Sequence, residues 1–208
     1  GLMHKIASPA EYKYNIMEYL KIAEDVDSVS NFIYSFNETD FSPGQSIIGP
    51  IVNGEQTYLD SVFVTNNRIL NHWDGVGFLD NEDSTYTVYV PTNAAWDEFT
   101  SKSEKFFNYS LESKNPTSVK AEERDSLRQH YTRINALKYM TFSDNEQIYV
   151  DSPDSILPIW QNGGREELLK SQVEEFVISE KQLSNGTFKV IDKCPFTQFE
   201  LWHDTIKV

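Results

Sequence analysis

The sequence predicts a mixed α+β fold, and three observations carry that prediction. Between residues 16 and 36 apolar side chains recur at helical spacing. From Thr85 to Trp96 a β-branched and aromatic run meets a proline and then a helix cap. From Gln147 onward the apolar period shifts to two, with turn residues between the runs.

Residues 1–14 read as a loosely held lead-in. Ile16, Tyr19, Leu20 and Ala23 then form a helical stripe. Asp27 or Ser28 can cap a second stripe at Val29, Phe32, Ile33 and Phe36. Two short helices, or one kinked between Asp25 and Asp27, cover one end of a core. Ser42-Pro43-Gly44, Gly49-Pro50 and Asn53-Gly54 punctuate the chain that follows. Tyr58 to Val64 reads as an edge strand, and Asn66-Asn67 and Asp74-Gly75 mark further turns. Residues 37–84 are therefore expected to form an elaborated connection with little regular structure. Such connections often hold binding surfaces.

In the run Thr85-Tyr86-Thr87-Val88-Tyr89-Val90, Val88 and Val90 face one way and Thr87 and Tyr89 the other. Pro91 is expected to end ladder pairing. The Thr92 hydroxyl or the Asn93 amide then satisfies orphan donors of the next helix, worth ~1 kcal/mol. That helix is expected from about Asn93 to Tyr109, with Ala95, Phe99, Phe106 and Phe107 on one face. Asn115-Pro116-Thr117-Ser118 breaks the chain and caps a further helix carrying Leu127, Tyr131, Ile134 and Leu137. Its opposite face, Lys120 to Arg128, is charged and solvated. Gln147–Val150 reads as a strand and Asn162-Gly163-Gly164 as a turn. Val173, Phe176 and Ile178 suggest another strand, with a helix over 166–175 as the alternative. Asn185-Gly186 is a hairpin signal, since both residues tolerate positive φ. Thr187 to Ile191 alternates as a strand, and Phe199 to Val208 reads as the last one.

The chain of 208 residues is long enough for one large domain with a core, and its 13 Phe, 11 Tyr and 4 Trp supply the apolar area. A net charge of −14 repels a phosphate backbone and an anionic membrane surface, which argues against nucleic-acid binding. Cys194 is the only cysteine, so no intrachain disulfide can form. It follows an apolar strand and is expected to be buried rather than nucleophilic. No apolar run reaches membrane-spanning length. Gly1-Leu2-Met3 is an odd start, so an upstream export signal or lipid anchor is allowed for.

His4, His72, His130 and His203 lie far apart without metal-ligand spacing. No nucleophile elbow, Walker glycine pattern or dinucleotide fingerprint occurs. Asp80-Asn81-Glu82-Asp83 lacks the spaced ligands of an EF-hand loop and reads as solvated. No catalytic residue, metal or cofactor is expected, and the chain reads as a non-enzyme. Trp73 with Asp74, and Trp160 with Asn162, combine a flat ring with an amide or carboxylate. That pairing suits the faces and hydroxyls of sugars. The plainer reading is that both tryptophans anchor a core at turns.

Two segments carry a family resemblance. Thr85 to Trp96, with Tyr86, Pro91, Thr92, Asn93 and Ala95, resembles the first signature of the fasciclin domain family. Ser184 to Lys193, with Asn185, Gly186, Ile191 and Asp192, is similar to the second. Between them Leu137 to Phe142 resembles the family's Tyr-His segment, with Tyr139 kept and Met140 in the histidine position. Val29 to Ile33 is similar to the opening helix. The resemblance covers about Ile16 to Phe196. It implies a single domain over 15–208 with an insertion at about 37–84. The implied fold is a β-wedge or sandwich of two sheets packed with several α-helices.

The same resemblance implies a non-catalytic adhesion or protein–protein interaction module, extracellular or on a bacterial cell envelope. Its partner would be an unknown protein or glycan at the cell surface. A glycan-binding accessory module for surface polysaccharide capture is the alternative. The signature residues themselves read as structural. Met140 cannot replace a histidine hydrogen bond, so its surroundings should be apolar. Asp192 is expected to accept backbone N–H bonds at the strand end. Ile178 to Leu183 lacks the Pro and the Asp-Ile pairing of integrin-binding members, so integrin binding does not carry over.

Overall fold

The computed structural model describes residues 12–70, 75–103, 126, 129–130, 132–134, 136–138, 140–143 and 173–195. The elements in chain order are α1 (Ile16–Leu20), α2 (Asp27–Tyr34), β1 (Asn37–Phe41), β2 (Ile47–Val52), β3 (Glu55–Asp60), β4 (Phe63–Asn67), β5 (Tyr86–Pro91), α3 (Asn93–Ser103), β6 (Thr141–Ser143), β7 (Val177–Leu183) and β8 (Gly186–Ile191). The content is mixed α+β, as the sequence predicts. One four-stranded sheet has the order β6-β5-β8-β7, and the remaining strands form two ribbons, β1-β4 and β2-β3.

β5 is buried along its whole length. Its run of Thr, Val and Tyr suits a central strand covered on both faces. It pairs antiparallel with β6, and parallel with β8 from Tyr86↔Gly186 to Pro91↔Ile191. Pro91 does not end the ladder, contrary to expectation. Proline lacks a donor but keeps an extended backbone and its carbonyl, and the next amide, Thr92 N–H, donates to the Ile191 carbonyl at 2.9 Å.

β7 and β8 form the expected hairpin, shifted by one residue. Leu183 pairs with Gly186, so Ser184 and Asn185 are the turn and Gly186 opens β8. Of the Asn-Gly pair, Gly186 takes the positive φ, at 145°. A Cβ at Gly186 would lie 1.9 Å from the Tyr86 carbonyl oxygen, so the two parallel strands meet there only because the side chain is a hydrogen. Upstream, Val173 and Glu174 are helical instead of starting a strand, Phe176 packs half-buried on the core and Ile178 is exposed.

The front of the chain forms the two-helix alternative, with Asp25 at φ 58° between α1 and α2. Asn15 caps α1 in a reciprocal box: its Oδ1 accepts from Glu18 N–H at 2.8 Å and the Glu18 carboxylate accepts from Asn15 N–H at 3.0 Å. Neither Asp27 nor Ser28 caps α2. Val26 occupies that position and supplies no side-chain bond. The lead-in is also less loose than expected in its described part. The Tyr14 carbonyl accepts from Ser184 N–H at 3.0 Å, and the Tyr12 hydroxyl donates to Glu18 at 2.7 Å.

The core joins Ile16 and Leu20 of α1, Val29 and Ile33 of α2 and Trp96 and Phe99 of α3 to the central sheet. Ile134 and Leu137, on helical turns within 132–138, close it. Leu127, Tyr131, Phe106 and Phe107, and the strands expected at 147–150 and 199–208, lie outside the described residues.

Residues 37–67 correct the expectation of little regular structure, because they hold four strands. The single strand expected over 58–64 is β3 and β4, divided at Ser61-Val62.

Gly186→Ala is expected to destabilise the fold by at least ~2 kcal/mol, because a Cβ meets backbone at a positive φ. Gly44→Ala, which meets nothing within 4 Å, should change stability by less than ~0.5 kcal/mol. Denaturant unfolding of both variants checks the contrast.

Candidate interaction surface

The first signature acts as a capping device. The Thr92 hydroxyl accepts from Ala95 N–H at 3.3 Å and so caps α3. Asn93 works on the other helix. Its Oδ1 accepts from Ser28 N–H at 2.8 Å, supplying the cap that α2 lacks, and its Nδ2 donates to Asp25 and Asp27 at 3.1 and 3.2 Å. Tyr86 is buried, and its hydroxyl accepts from Phe78 N–H at 3.1 Å. Ala95 is buried under α3.

The second signature is a hub. Asn185 is 1 % exposed. Its Oδ1 accepts from Ile16 N–H at 2.9 Å, and its Nδ2 donates to the carbonyls of Leu79 and Asn81 at 2.8 and 3.2 Å. Its own carbonyl accepts from Tyr86 N–H at 3.0 Å. Ile191 is fully buried. Asp192 departs from expectation: its side chain is exposed, and its backbone N–H donates to the Phe176 carbonyl at 3.0 Å. A strand end one residue past Ile191 turns that carboxylate toward water, where it needs no protein donor. Met140 is buried among apolar neighbours. An apolar cavity of about 20 Å³ lies between Ile16, Val29, Val88, Met140 and Phe188, room for about one water.

Lys189 is a buried cation that sequence reading missed. Glu174 and Glu180 hold its ammonium at 2.5 and 3.2 Å. Tyr89 donates to the same Glu174 carboxylate at 2.8 Å. Burial pushes the Lys189 pKa down, but the hydrogen bonds and charges of the two glutamates outweigh it and hold the value above the ordinary one. The cluster fastens β7 and β8 to the residues before β7. Cys194 is largely covered, beside the Ala95 carbonyl at 3.9 Å, and burial pushes its thiol up to about 12.

Trp73, Asp74, Trp160, Asn162 and Tyr139 lie outside the described residues. Among the described residues no group of three His, Cys, Asp or Glu is placed to hold a metal ion. No helix of the described residues is long and apolar enough to cross a membrane.

The surface that stands out is the ribbon of residues 37–67. Its root is fixed. Asn67 Nδ2 donates to the Ile33 carbonyl and to Asn37 Oδ1, each at 2.8 Å, and Arg68 pairs with Glu38 at 3.1 Å. β1 and β4 stay in register from Asn37↔Asn67 to Phe41↔Phe63, with a Thr39–Thr65 hydroxyl pair at 2.9 Å. Ser42 N–H continues the ladder to the Val62 carbonyl at 2.8 Å. Phe41 packs edge-on against Tyr58 at 4.7 Å and against Phe63 at 5.7 Å, which joins the two halves of the ribbon. At the tip, Asn53 and Gly54 take φ of 55° and 83°, the paired positive values of a type I′ turn.

Both faces of β2–β3 are uncovered. Ile48 and Ile51 stand opposite Tyr58 and Gln56 on one face. Val52 stands opposite Glu55 on the other, the face that Leu59 shares by alternation. Ile51 is 70 % exposed and Leu59 74 %, and Ile47, Ile48, Val52 and Phe63 are also exposed. Exposed apolar side chains grouped this way mark an interaction site more often than scattered ones do. The turn signal at Asn53-Gly54 was readable in the sequence, whereas Asn66-Asn67, expected as a turn, are the last paired residues of β4; the lack of a covering layer was not readable.

Comparison with known proteins finds nothing similar: no family model, no curated protein and no solved structure matches this chain.

Asn93→Ala should cost about 1–2 kcal/mol through loss of the α2 cap. Asn93→Asp keeps the acceptor for Ser28 but sets a third carboxylate beside Asp25 and Asp27, so it should destabilise at neutral pH and recover partly in high salt. Thermal unfolding at two salt concentrations reads both effects. Cys194 should resist a thiol reagent at pH 8 in the native protein and react promptly after unfolding, which a colorimetric thiol assay follows.

Proposed function

We propose that this chain is a non-catalytic interaction module of the fasciclin-like type, displayed on a bacterial cell envelope, and that it makes its contacts through the ribbon of residues 37–67, at its β2–β3 tip. The observation that carries the contact surface is the uncovered apolar tip, with Ile51 on one face and Leu59 on the other. Burying an aliphatic side chain of this size contributes about 1.5–3 kcal/mol each, so a partner that covers several of them gains a usable affinity.

The family reading is supported by how the two signatures sit. Residues far apart in sequence become neighbouring parallel strands, paired residue for residue from Tyr86↔Gly186 to Pro91↔Ile191. Each signature also carries a device that fastens helices, Thr92 and Asn93 at the end of one strand and Asn185 at the start of the other. The two motifs therefore act as one structural unit. The cell-envelope location rests on the resemblance alone.

The test is adhesion of beads carrying the full chain to purified envelope and matrix proteins, beside the double variant Ile51→Ser/Leu59→Ser. The expected result is that the variant unfolds at the same temperature within about 2 °C, since both residues are exposed, and loses adhesion. Adhesion that survives the double substitution would overturn the contact surface. Antibody labelling that finds the native protein in the cytosol would overturn the envelope assignment.

A further inference from the structure

We infer that the ribbon tip is completed by a protein partner with an apolar groove rimmed by lysine or arginine side chains, and not by a second copy of this chain. This rests on the reading of residues 37–67 as the contact surface and specifies what that surface recognises.

Charge on the ribbon sets the partner's sign. Residues 37–67 contain Glu38, Asp40, Glu55 and Asp60 and no Lys, Arg or His. Glu38 is matched at the root by Arg68. Asp40, Glu55 and Asp60 run from the middle of the ribbon to its tip. Asp60 stands opposite Ile47, and Glu55 opposite Val52, so carboxylates flank exposed aliphatic side chains. An apolar centre bordered by one sign of charge is the usual layout of a specific interface, and the rim charge of the partner is its complement. A second copy offers the wrong sign, because the rest of the chain is itself net acidic within a total of −14.

The ribbon's edges also disfavour pairing between copies. Gly49 and Pro50 interrupt β2, and its register against β3 shifts at Ile47/Ile48 and again at Ile48/Ile51. Proline and bulges are the features that keep an edge from templating another strand. What remains accessible is the pair of faces, and a ribbon uncovered on both is enclosed best by a groove. The Phe41–Tyr58–Phe63 cluster stiffens the ribbon below the tip, which lowers the ordering entropy that binding must overcome.

The test uses two labelled peptides of equal length, one alternating leucine with lysine and one alternating leucine with glutamate. Fluorescence anisotropy measures each against the full chain. The lysine peptide should bind at least about tenfold tighter than the glutamate peptide, with a preference that shrinks as salt rises. Asp40→Asn/Glu55→Gln/Asp60→Asn should reduce that preference to within about threefold, as expected when local rim charge sets it. A control with the same charge change on the body, Glu24→Gln/Asp83→Asn/Asp97→Asn, should keep it. Ile51→Ser/Leu59→Ser should lose binding of the lysine peptide.

Equal losses in the ribbon and body charge variants would overturn the inference, because the net charge would then be acting as a whole. So would equal binding of the two peptides, lysine-peptide binding that survives Ile51→Ser/Leu59→Ser, or no binding of either peptide. Sedimentation that shows a dimer abolished by Ile51→Ser would overturn it in favour of a second copy. In each case the adhesion assay separates the two levels. Adhesion lost in Ile51→Ser/Leu59→Ser keeps the contact surface even where the charge rule fails.

Discussion

The parallel seam between β5 and β8 is the constraint on which the other elements depend. It starts where Gly186 lies against the Tyr86 backbone, a position closed to any Cβ. That approach sets the register, and the register places Pro91 beside Ile191 at the far end. Both ends of the seam carry capping groups. At one end the Asn185 carboxamide, acceptor and donor at once, ties the first amide of α1 to the carbonyls of Leu79 and Asn81. At the other end Thr92 starts α3, and Asn93 starts α2 from outside that helix. A slip of one residue in the seam would therefore displace three helix starts together with every side chain of a buried strand.

Asparagine suits both ends because a carboxamide accepts and donates at once, at Asn93 between the Ser28 N–H and the Asp25 and Asp27 carboxylates, and at Asn185 within a buried turn. A buried turn leaves an N–H and several carbonyls facing each other without secondary structure to join them, and leaving any one unpaired costs about 1–3 kcal/mol. A carboxylate could only accept, and an alkyl group could do neither. Glu174 plays a related part at the sheet edge. It accepts from both Lys189 and Tyr89, so a cation placed on a mostly covered strand is fully paired.

Local chemistry made much of this legible in the sequence. The strand-proline-cap order located β5 and α3, and the stripe at Ile16, Tyr19, Leu20 and Ala23 located α1. The dipeptides Asn53-Gly54 and Asn185-Gly186 each marked a hairpin. What failed was non-local. The cap of α2 comes from Asn93, which no window around Asp27 contains. The hairpin at Asn185 moved by one residue because Gly186 answers to Tyr86 on a neighbouring strand, not to the turn. Residues 37–67 looked irregular because Gly49-Pro50 and Ser42-Pro43-Gly44 resemble loop composition, and because alternation has no meaning in a ribbon that buries neither face.

That last point separates the ribbon from the body in physical terms. In the body, exposed apolar side chains such as Ile22 and Ile178 stand apart from one another, and the core holds the rest: Ile16, Val29, Tyr89, Met140 and Phe188 are all buried. In the ribbon, Ile51 and Leu59 are exposed and fill no core among the described residues. A two-stranded hairpin alone is marginal in water, and this one is held by its root bonds to Ile33 and Asn37 and by its aromatic joint. Serine or threonine at the exposed positions would serve those bonds equally well and keep the surface wet. Among the described residues, aliphatic side chains there stabilise nothing that polar ones would not, which is why the proposed contact surface is placed at the tip.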